Sequence, residues 1–92
     1  MNSDEPIEIP ITDSLDLHTF RPSEFRPLLF DYFEACLEKG FREVRIIHGK
    51  GTGQLKTSVL AYLERCELVE SFSPASENRG GWGATIVTLK KL

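Results

Sequence analysis

The sequence predicts an α/β fold in which a four-stranded mixed sheet packs against two helices on one of its faces, as a two-layer sandwich. Two segments with apolar residues at helical spacing alternate with short β-branched segments, which gives the order β-α-β-α-β-β. Each strand–helix–strand unit predicts parallel strands joined by a right-handed crossover, and this handedness places both helices on the same face. The last two strands are close enough in sequence for an antiparallel hairpin. The chain of 92 residues suffices for one such domain.

The N-terminal segment is predicted to be an extended arm, residues 1–13, ahead of a domain that occupies residues 14–92. Pro6 and Pro10 lie in this arm, and each proline fixes φ and removes a backbone donor, which disfavours a helix. A short first strand follows at Leu15–His18, where the apolar residues stand two apart.

Two amphipathic helices are predicted from apolar residues that recur every three or four positions. The first begins at about Pro27, because proline is tolerated in an opening turn, and ends at Gly40. The second covers Gln54–Cys66. Their apolar stripes comprise Leu28, Leu29, Tyr32, Phe33, Cys36 and Leu37 in the first helix, and Leu55, Val59, Tyr62, Leu63 and Cys66 in the second. The other strands are predicted at Val44–Ile47, Val69–Phe72 and Ala84–Leu89.

The overall charge restricts the partners that the chain can attract. Acidic residues outnumber basic ones by 14 to 11, which gives a net charge of −3. A sequence-blind nucleic-acid binder normally carries a basic face, so nucleic-acid contact here must come from a local cluster of positive groups. No apolar run is long enough to span a bilayer, and the acidic first residues do not form a secretory signal, so we expect a cytoplasmic protein with no membrane partner.

The two cysteines, Cys36 and Cys66, are predicted to be reduced core residues. A disulfide is unexpected in the cytosol, and both cysteines fall on apolar helix stripes. Neither a CxxC nor an HExxH motif is present, so a structural zinc site is not expected.

The strongest functional signal is the glycine-rich segment His48-Gly49-Lys50-Gly51-Thr52-Gly53, between the second strand and the second helix. Its alternate glycines allow a sharp turn and close approach to a ligand, and the following helix adds unpaired N–H groups and the positive end of its dipole. Lys50 and Lys56 bring positive charge to the end of the sheet where parallel α/β folds bind ligands. The segment predicts a phosphate site without P-loop spacing; the alternative is a tight turn that merely requires glycine.

A second signal is the pair Asp16 and His18 at the end of the first strand. Residues two apart in a strand project from the same face, so this carboxylate and imidazole could form an acid–base pair. In the alternative interpretation Asp16 caps a turn and the backbone satisfies His18. If the first two strands are neighbours, His18 and His48 converge on one cleft.

The third signal is the segment Arg79-Gly80-Gly81-Trp82-Gly83. Arg79 could clamp a phosphate while Trp82 stacks on a base. Equally, Trp82 could cover the end of the core, with the glycines shaping a wide hairpin.

Together these segments resemble the Smr (small MutS-related) domain family, and look like its short stand-alone bacterial type. The resemblance rests on Leu15–His18, Ile46–Gly53 and Gly80–Lys90 in this order and spacing, and it covers roughly residues 14–92. It implies a fold similar to the C-terminal domain of translation initiation factor three, with RNA or DNA as partner and a ribosomal surface as a further candidate. Thr19 follows His18 where many members have glycine, which narrows the space and adds a hydroxyl.

Several members of that family are endonucleases that cleave RNA or nick DNA, and the resemblance implies the same activity here. Asp16 would orient His18 or hold a metal, and His18 or His48 would act as general acid or base. RNA cleavage could use the 2′-hydroxyl without a metal, whereas DNA cleavage would more readily require Mg²⁺ or Mn²⁺. Nucleic acid would be bound by Gly49, Lys50, Gly51, Thr52, Gly53, Lys56, Arg79 and Trp82.

Two other functions remain open. One is a non-catalytic module that docks on RNA, DNA or a ribosomal surface, with the glycine-rich segment holding phosphates that are not cleaved. The weaker one is an anion or nucleotide site for a small metabolite.

Overall fold

The computed structural model describes residues 11–49, 53–79 and 81–90. The elements are β1 (Ser14–Asp16), α1 (Arg26–Glu38), β2 (Glu43–Ile47), α2 (Gln54–Arg65), β3 (Val69–Pro74) and β4 (Ala84–Leu89). Two short 3-10 turns lie between β3 and β4, at Glu77–Arg79 and Gly81–Gly83. The predicted order β-α-β-α-β-β is therefore confirmed. Most of the predicted N-terminal arm, residues 1–10, lies outside the described residues.

The sheet is mixed, as predicted, but its strand order differs from the simplest arrangement. The order is β1-β2-β4-β3, with β1 and β2 parallel and β4 antiparallel to both of its neighbours. The second and third strands run in the same direction, as predicted, but the pairing between them that the prediction implied is wrong, because β4 lies between them. Burial explains the order: β4 is mostly buried, whereas β3 is mostly polar and exposed, which suits an edge strand.

One hydrophobic core joins both helices to the sheet. Val44 of β2 lies opposite Val87 of β4, so these two side chains share the buried face of the sheet. The fully or almost fully buried residues include Leu29 and Phe33 from α1, Val59 and Leu63 from α2, Val44 and Ile46 from β2, and Val87 and Leu89 from β4. This packing is the predicted two-layer arrangement.

The apolar stripe of α1 begins earlier than the periodicity predicts. Leu28 was predicted to be in the core but is 38% exposed, while Phe25, the residue before the helix, is fully buried. The rings of Phe25 and Tyr62 meet edge to face, with their centroids 5.9 Å apart. This contact fixes the connection between β1 and α1 against α2.

The cysteines, a metal centre and a membrane span can each be assessed in the described part of the chain. Cys36 and Cys66 are buried free thiols, as expected of core residues. Within the described ranges, no group of three or more His, Cys, Asp or Glu side chains could hold a metal ion. In the same ranges, no helix combines the length and the apolar character needed to cross a membrane.

Candidate functional site

The carboxyl ends of β1 and β2 lie side by side at one edge of the sheet. The two strands are parallel, with Asp16 opposite Ile47, and the amide of Leu17 donates a hydrogen bond of 2.7 Å to the carbonyl of Ile47. The segments that follow the two strands therefore leave the sheet from adjacent points. This brings the L-D-L-H end of the first strand next to the glycine-rich segment.

Asp16 and His18 form a hydrogen-bonded pair. Oδ1 of Asp16 accepts a 2.9 Å hydrogen bond from the His18 amide and lies 2.6 Å from Nδ1 of the imidazole. Because a carboxylate oxygen only accepts, Nδ1 carries the proton and Nε2 is left for proton exchange. A turn creates this pair, because the Asp16 carboxylate accepts from the amide two residues further along the chain. β1 therefore ends at Asp16, earlier than predicted.

The pair is accessible, and its carboxylate is charged. The side chains of Asp16 and His18 are 50% and 58% exposed. The hydrogen bond from the His18 amide, followed by the one from its imidazole, holds the pKa of Asp16 below its usual value of 3.8. Asp16 is therefore ionised at neutral pH, and its charge orients the imidazole and would stabilise an imidazolium.

Gly49 connects this pair to the glycine-rich segment. It adopts a left-handed conformation with φ of +81°, and a Cβ placed on it would lie 3.1 Å from the Cβ of His18. The amides of His48 and Gly49 both donate to the carbonyl of Gly83, over 3.0 and 2.9 Å. The Gly83 carbonyl, just before β4, thus holds Gly49 against the acid–base pair, and both the conformation and the space require glycine.

His48 belongs to the core of the site and not to its surface. Its side chain is 3% exposed, Nδ1 lies 3.1 Å from the Gly49 carbonyl, and Nε2 lies 2.9 Å from Oγ1 of Thr85. Burial lowers its pKa below the usual 6.5, the charge of Lys56 lowers it further, and the bond to Gly49 opposes the shift. A buried, neutral imidazole with both nitrogens bonded favours a structural role over the predicted acid–base role.

Sequence reasoning missed Thr85 and Gly83 as parts of this arrangement. Thr85 is a hydroxyl residue at a buried position of a strand that is otherwise mostly apolar. A polar side chain at a core position, where it needs a partner, is the signal that would have indicated it.

The remaining predicted binding residues are only partly described. Lys50, Gly51 and Thr52 lie outside the described residues, as do the side chains of Arg79 and Trp82. Gly53 precedes α2 with φ of +87°, and nothing lies within 4 Å of a Cβ built on it. Lys56 lies on α2 beside a small cavity of about 100 Å³ that reaches Thr85 and is otherwise lined mainly by Leu60, Phe72 and Pro74.

An open groove of about 420 Å³ lies between the β1–α1 connection and the first turns of α2. Its described walls are Pro22, Gly53, Gln54, Thr57 and Ser58. The lining combines amide and hydroxyl groups with the apolar ring of Pro22, and these five residues include no charged side chain. The groove begins where the glycine-rich segment ends, so it extends the site along α2; the sequence motifs did not indicate it.

A family model described as the Smr domain matches residues 15–90. The chain belongs to the Smr domain family. The match contains the whole sheet edge described above: the Asp16–His18 turn, the glycine-rich segment and the start of β4.

Curated relatives of this Smr domain are much longer proteins. It is 40% identical over 80 residues to the endonuclease MutS2 of Ligilactobacillus salivarius, and 43% identical over 79 residues to the endonuclease MutS2 of Lactobacillus gasseri. These alignments cover 87% and 86% of this chain but 10% of each relative. The chain therefore spans about a tenth of the curated relatives that it matches.

Solved structures share its architecture. The Smr domain of Thermus thermophilus MutS2 superposes with a TM-score of 0.80 at 33% identity, covering 86% of this chain and 99% of that one. YdaL, a stand-alone small MutS-related protein from Escherichia coli, gives a TM-score of 0.79 at 32% identity, covering 89% and 67%. The SMR domain of NEDD4-binding protein 2 shares the fold at 21% identity and a TM-score of 0.68, covering 96% of each chain.

Proposed function

We propose that this Smr domain binds nucleic acid and cleaves phosphodiester bonds at the edge of the sheet where β1 and β2 end. The observation that carries the proposal is the exposed Asp16–His18 pair, 2.6 Å apart, packed against Gly49 of the glycine-rich segment. The relatives named as endonucleases support the same assignment, since the aligned part of each is its Smr-like region.

With RNA as substrate, His18 is the group that moves protons. Nε2 takes the proton of a 2′-hydroxyl, whose oxygen attacks the adjacent phosphorus while the bond to the 5′-oxygen breaks. The products are a 2′,3′-cyclic phosphate and a 5′-hydroxyl, which receives a proton from the imidazolium or from water. Asp16 holds the ring in the tautomer with Nδ1 protonated and stabilises the cation that forms.

The glycine-rich segment supplies the phosphate-binding part of this proposal. Its backbone leads into the N-terminus of α2, where the positive end of the helix dipole favours an anion. In this proposal Lys50 would supply a positive charge to the scissile phosphate, where negative charge develops. Local positive charge of this kind is needed because the chain as a whole is acidic.

DNA lacks the 2′-hydroxyl, so nicking would need water as nucleophile and a divalent ion to activate it. The described side chains fit a metal only in part, because no group of three or more His, Cys, Asp or Glu residues lies together in those ranges. If a metal takes part, Asp16 is the carboxylate that would bind Mg²⁺ or Mn²⁺, and the ion would activate the attacking water.

A non-catalytic binding module is the second candidate, and the burial of His48 favours it. Of the two imidazoles predicted to serve as acid and base, only His18 is exposed. A site with one exposed imidazole could hold a phosphate, on RNA, DNA or a ribosomal surface, without catalysing both proton transfers.

The test uses labelled single- and double-stranded RNA and DNA, each with EDTA, Mg²⁺ or Mn²⁺. We expect cleavage by the wild-type chain and its loss in Asp16→Ala and in His18→Ala. Glu34→Gln, an exposed carboxylate on α1, is the matched control and should cut normally. Cleavage that survives both site variants contradicts the proposed site, and salt-dependent binding without cleavage under every condition supports the binding module.

A further inference from the structure

Two polar side chains are buried in the described part of the core, and they are bonded to each other. His48 and Thr85 are 3% and 2% exposed, and 2.9 Å separates Nε2 from Oγ1. Thr85 lies opposite Ile46 on one side and Pro74 on the other, in an apolar row across the sheet. A valine would fill the same space without burying a hydroxyl, so packing alone gives no reason for threonine at this position.

The chemistry of the acceptors fixes the direction of both hydrogen bonds. The Gly49 carbonyl can only accept, so Nδ1 of His48 carries the proton and donates to it. In the neutral ring Nε2 is then an acceptor, and the Thr85 hydroxyl donates to it. A directed chain of hydrogen bonds therefore runs from Thr85 through His48 to Gly49.

This chain ends where the proposed site begins. Gly49 packs against His18. The amides of Gly49 and His48 both donate to the Gly83 carbonyl, just before β4. The Gly83 carbonyl, which accepts from the Gly49 amide, and the Thr85 hydroxyl, which donates to the His48 ring, therefore lie within three residues of each other at the junction with β4. If the His48 ring turned, the Gly49 carbonyl would lose its donor.

We propose that Thr85 is a positioning residue of the site: through His48 it fixes Gly49, and with it the start of the phosphate-holding segment, relative to His18. This proposal rests on the proposed function, because the position it fixes matters only if nucleic acid is bound there. Burial and the positive charge of Lys56 both lower the pKa of His48 and so favour the neutral ring.

The experiment compares Thr85→Val, which removes the hydroxyl at nearly constant shape, with Thr85→Ser, which retains it. Each variant is assayed for oligonucleotide affinity, for single-turnover cleavage and by ¹⁵N NMR of the histidine rings. We expect Thr85→Val to lose about ten- to a hundredfold in kcat/KM, as small displacements of a site do. Thr85→Ser should restore most of this loss, and the His18 ring signals should shift in the valine variant and not in the serine variant.

The alternatives are distinguishable. Wild-type cleavage and affinity in Thr85→Val, with unshifted His18 signals, overturns the positioning role. If Thr85→Val does not fold, the wild-type spectrum decides, because His48 protonated at Nε2 instead of Nδ1 contradicts the hydrogen-bond chain. If the wild-type chain binds oligonucleotide without cutting it, the endonuclease proposal fails. The positioning role of Thr85 would still be supported if Thr85→Val lost affinity and Thr85→Ser recovered it.

Discussion

Gly49 lies against His18 so closely that a Cβ on Gly49 would stand 3.1 Å from the Cβ of His18. The glycine-rich segment and the acid–base pair are therefore one packed unit, and a change in one is transmitted to the other. The contact forms because β1 and β2 are parallel neighbours. The acid–base pair lies at the end of β1 and the glycine-rich segment follows β2, so both lie at the same edge of the sheet.

Gly49→Ala should impair the site more than it impairs the fold. Alanine in a left-handed conformation costs about 1–2 kcal/mol, and here the added methyl also presses on His18. Gly40→Ala is a matched control, because Gly40 has φ of +87° and nothing within 4 Å of the new methyl. We expect both variants to lower the free energy of unfolding in urea, and only Gly49→Ala to reduce oligonucleotide affinity and cleavage. Equal activity in the two variants would contradict the contact.

His48 should make the domain less stable as the pH falls below neutrality. Its pKa in the folded chain is lower than the usual 6.5, chiefly because the ring is buried. Between the two values the unfolded chain binds a proton that the folded chain does not, so the free energy of unfolding falls as the pH falls through about 6.5 towards the folded pKa. Urea denaturation of wild type and His48→Gln from pH 7.5 to 5 measures the free energy of unfolding as a function of pH. If this free energy falls no more steeply in wild type than in the variant, the prediction is wrong.

Phe25 should contribute far more to stability than Leu28, although the helical periodicity assigns Leu28 to the core. Phe25→Ala removes a fully buried ring and its edge-to-face contact with Tyr62, which should cost about 3–5 kcal/mol. Leu28→Ala, at a side chain that is 38% exposed, should cost about 1 kcal/mol or less. Thermal and urea unfolding of the two variants measures how much stability each one loses. Comparable losses in free energy of unfolding would mean that Leu28 packs in the core.

The groove beside α2 should contribute to oligonucleotide affinity. Thr57→Val removes an exposed hydroxyl from its wall, and the loss of one hydrogen bond corresponds to about a two- to tenfold weaker affinity. Ser71→Ala, an exposed hydroxyl on β3, is the control and should bind normally. Fluorescence anisotropy with a labelled oligonucleotide measures the affinity of both variants. Unchanged affinity in Thr57→Val would show that the groove does not bind the oligonucleotide.

The elements of the fold were predictable because their signals are local. Apolar periodicity defined α2 to within one residue, and β4 was predicted with its observed bounds. The position of β4 between β2 and β3 was not predictable in this way, because chain order favours pairing of the consecutive strand–helix–strand units. Only the contrast between a buried β4 and a polar β3 indicates which strand is interior.

The site was predictable where the motif itself makes the contact. Asp16 and His18 stand two apart, so a short turn or a strand could bring them together, and the turn does so. The role of His48 depends instead on Thr85, a residue 37 positions away. Composition and spacing around the glycine-rich segment contain no information about that partner, so the burial of His48 could be found only in three dimensions.

The central claim is that His18 transfers a proton during cleavage, and chemical rescue tests it most directly. Single-turnover cleavage of a labelled RNA is measured for wild type and His18→Ala, with and without added imidazole. The account predicts a large loss of rate in the variant and partial recovery that grows with the imidazole concentration, while wild type is unaffected. Cleavage by His18→Ala at the wild-type rate would contradict the assignment of His18.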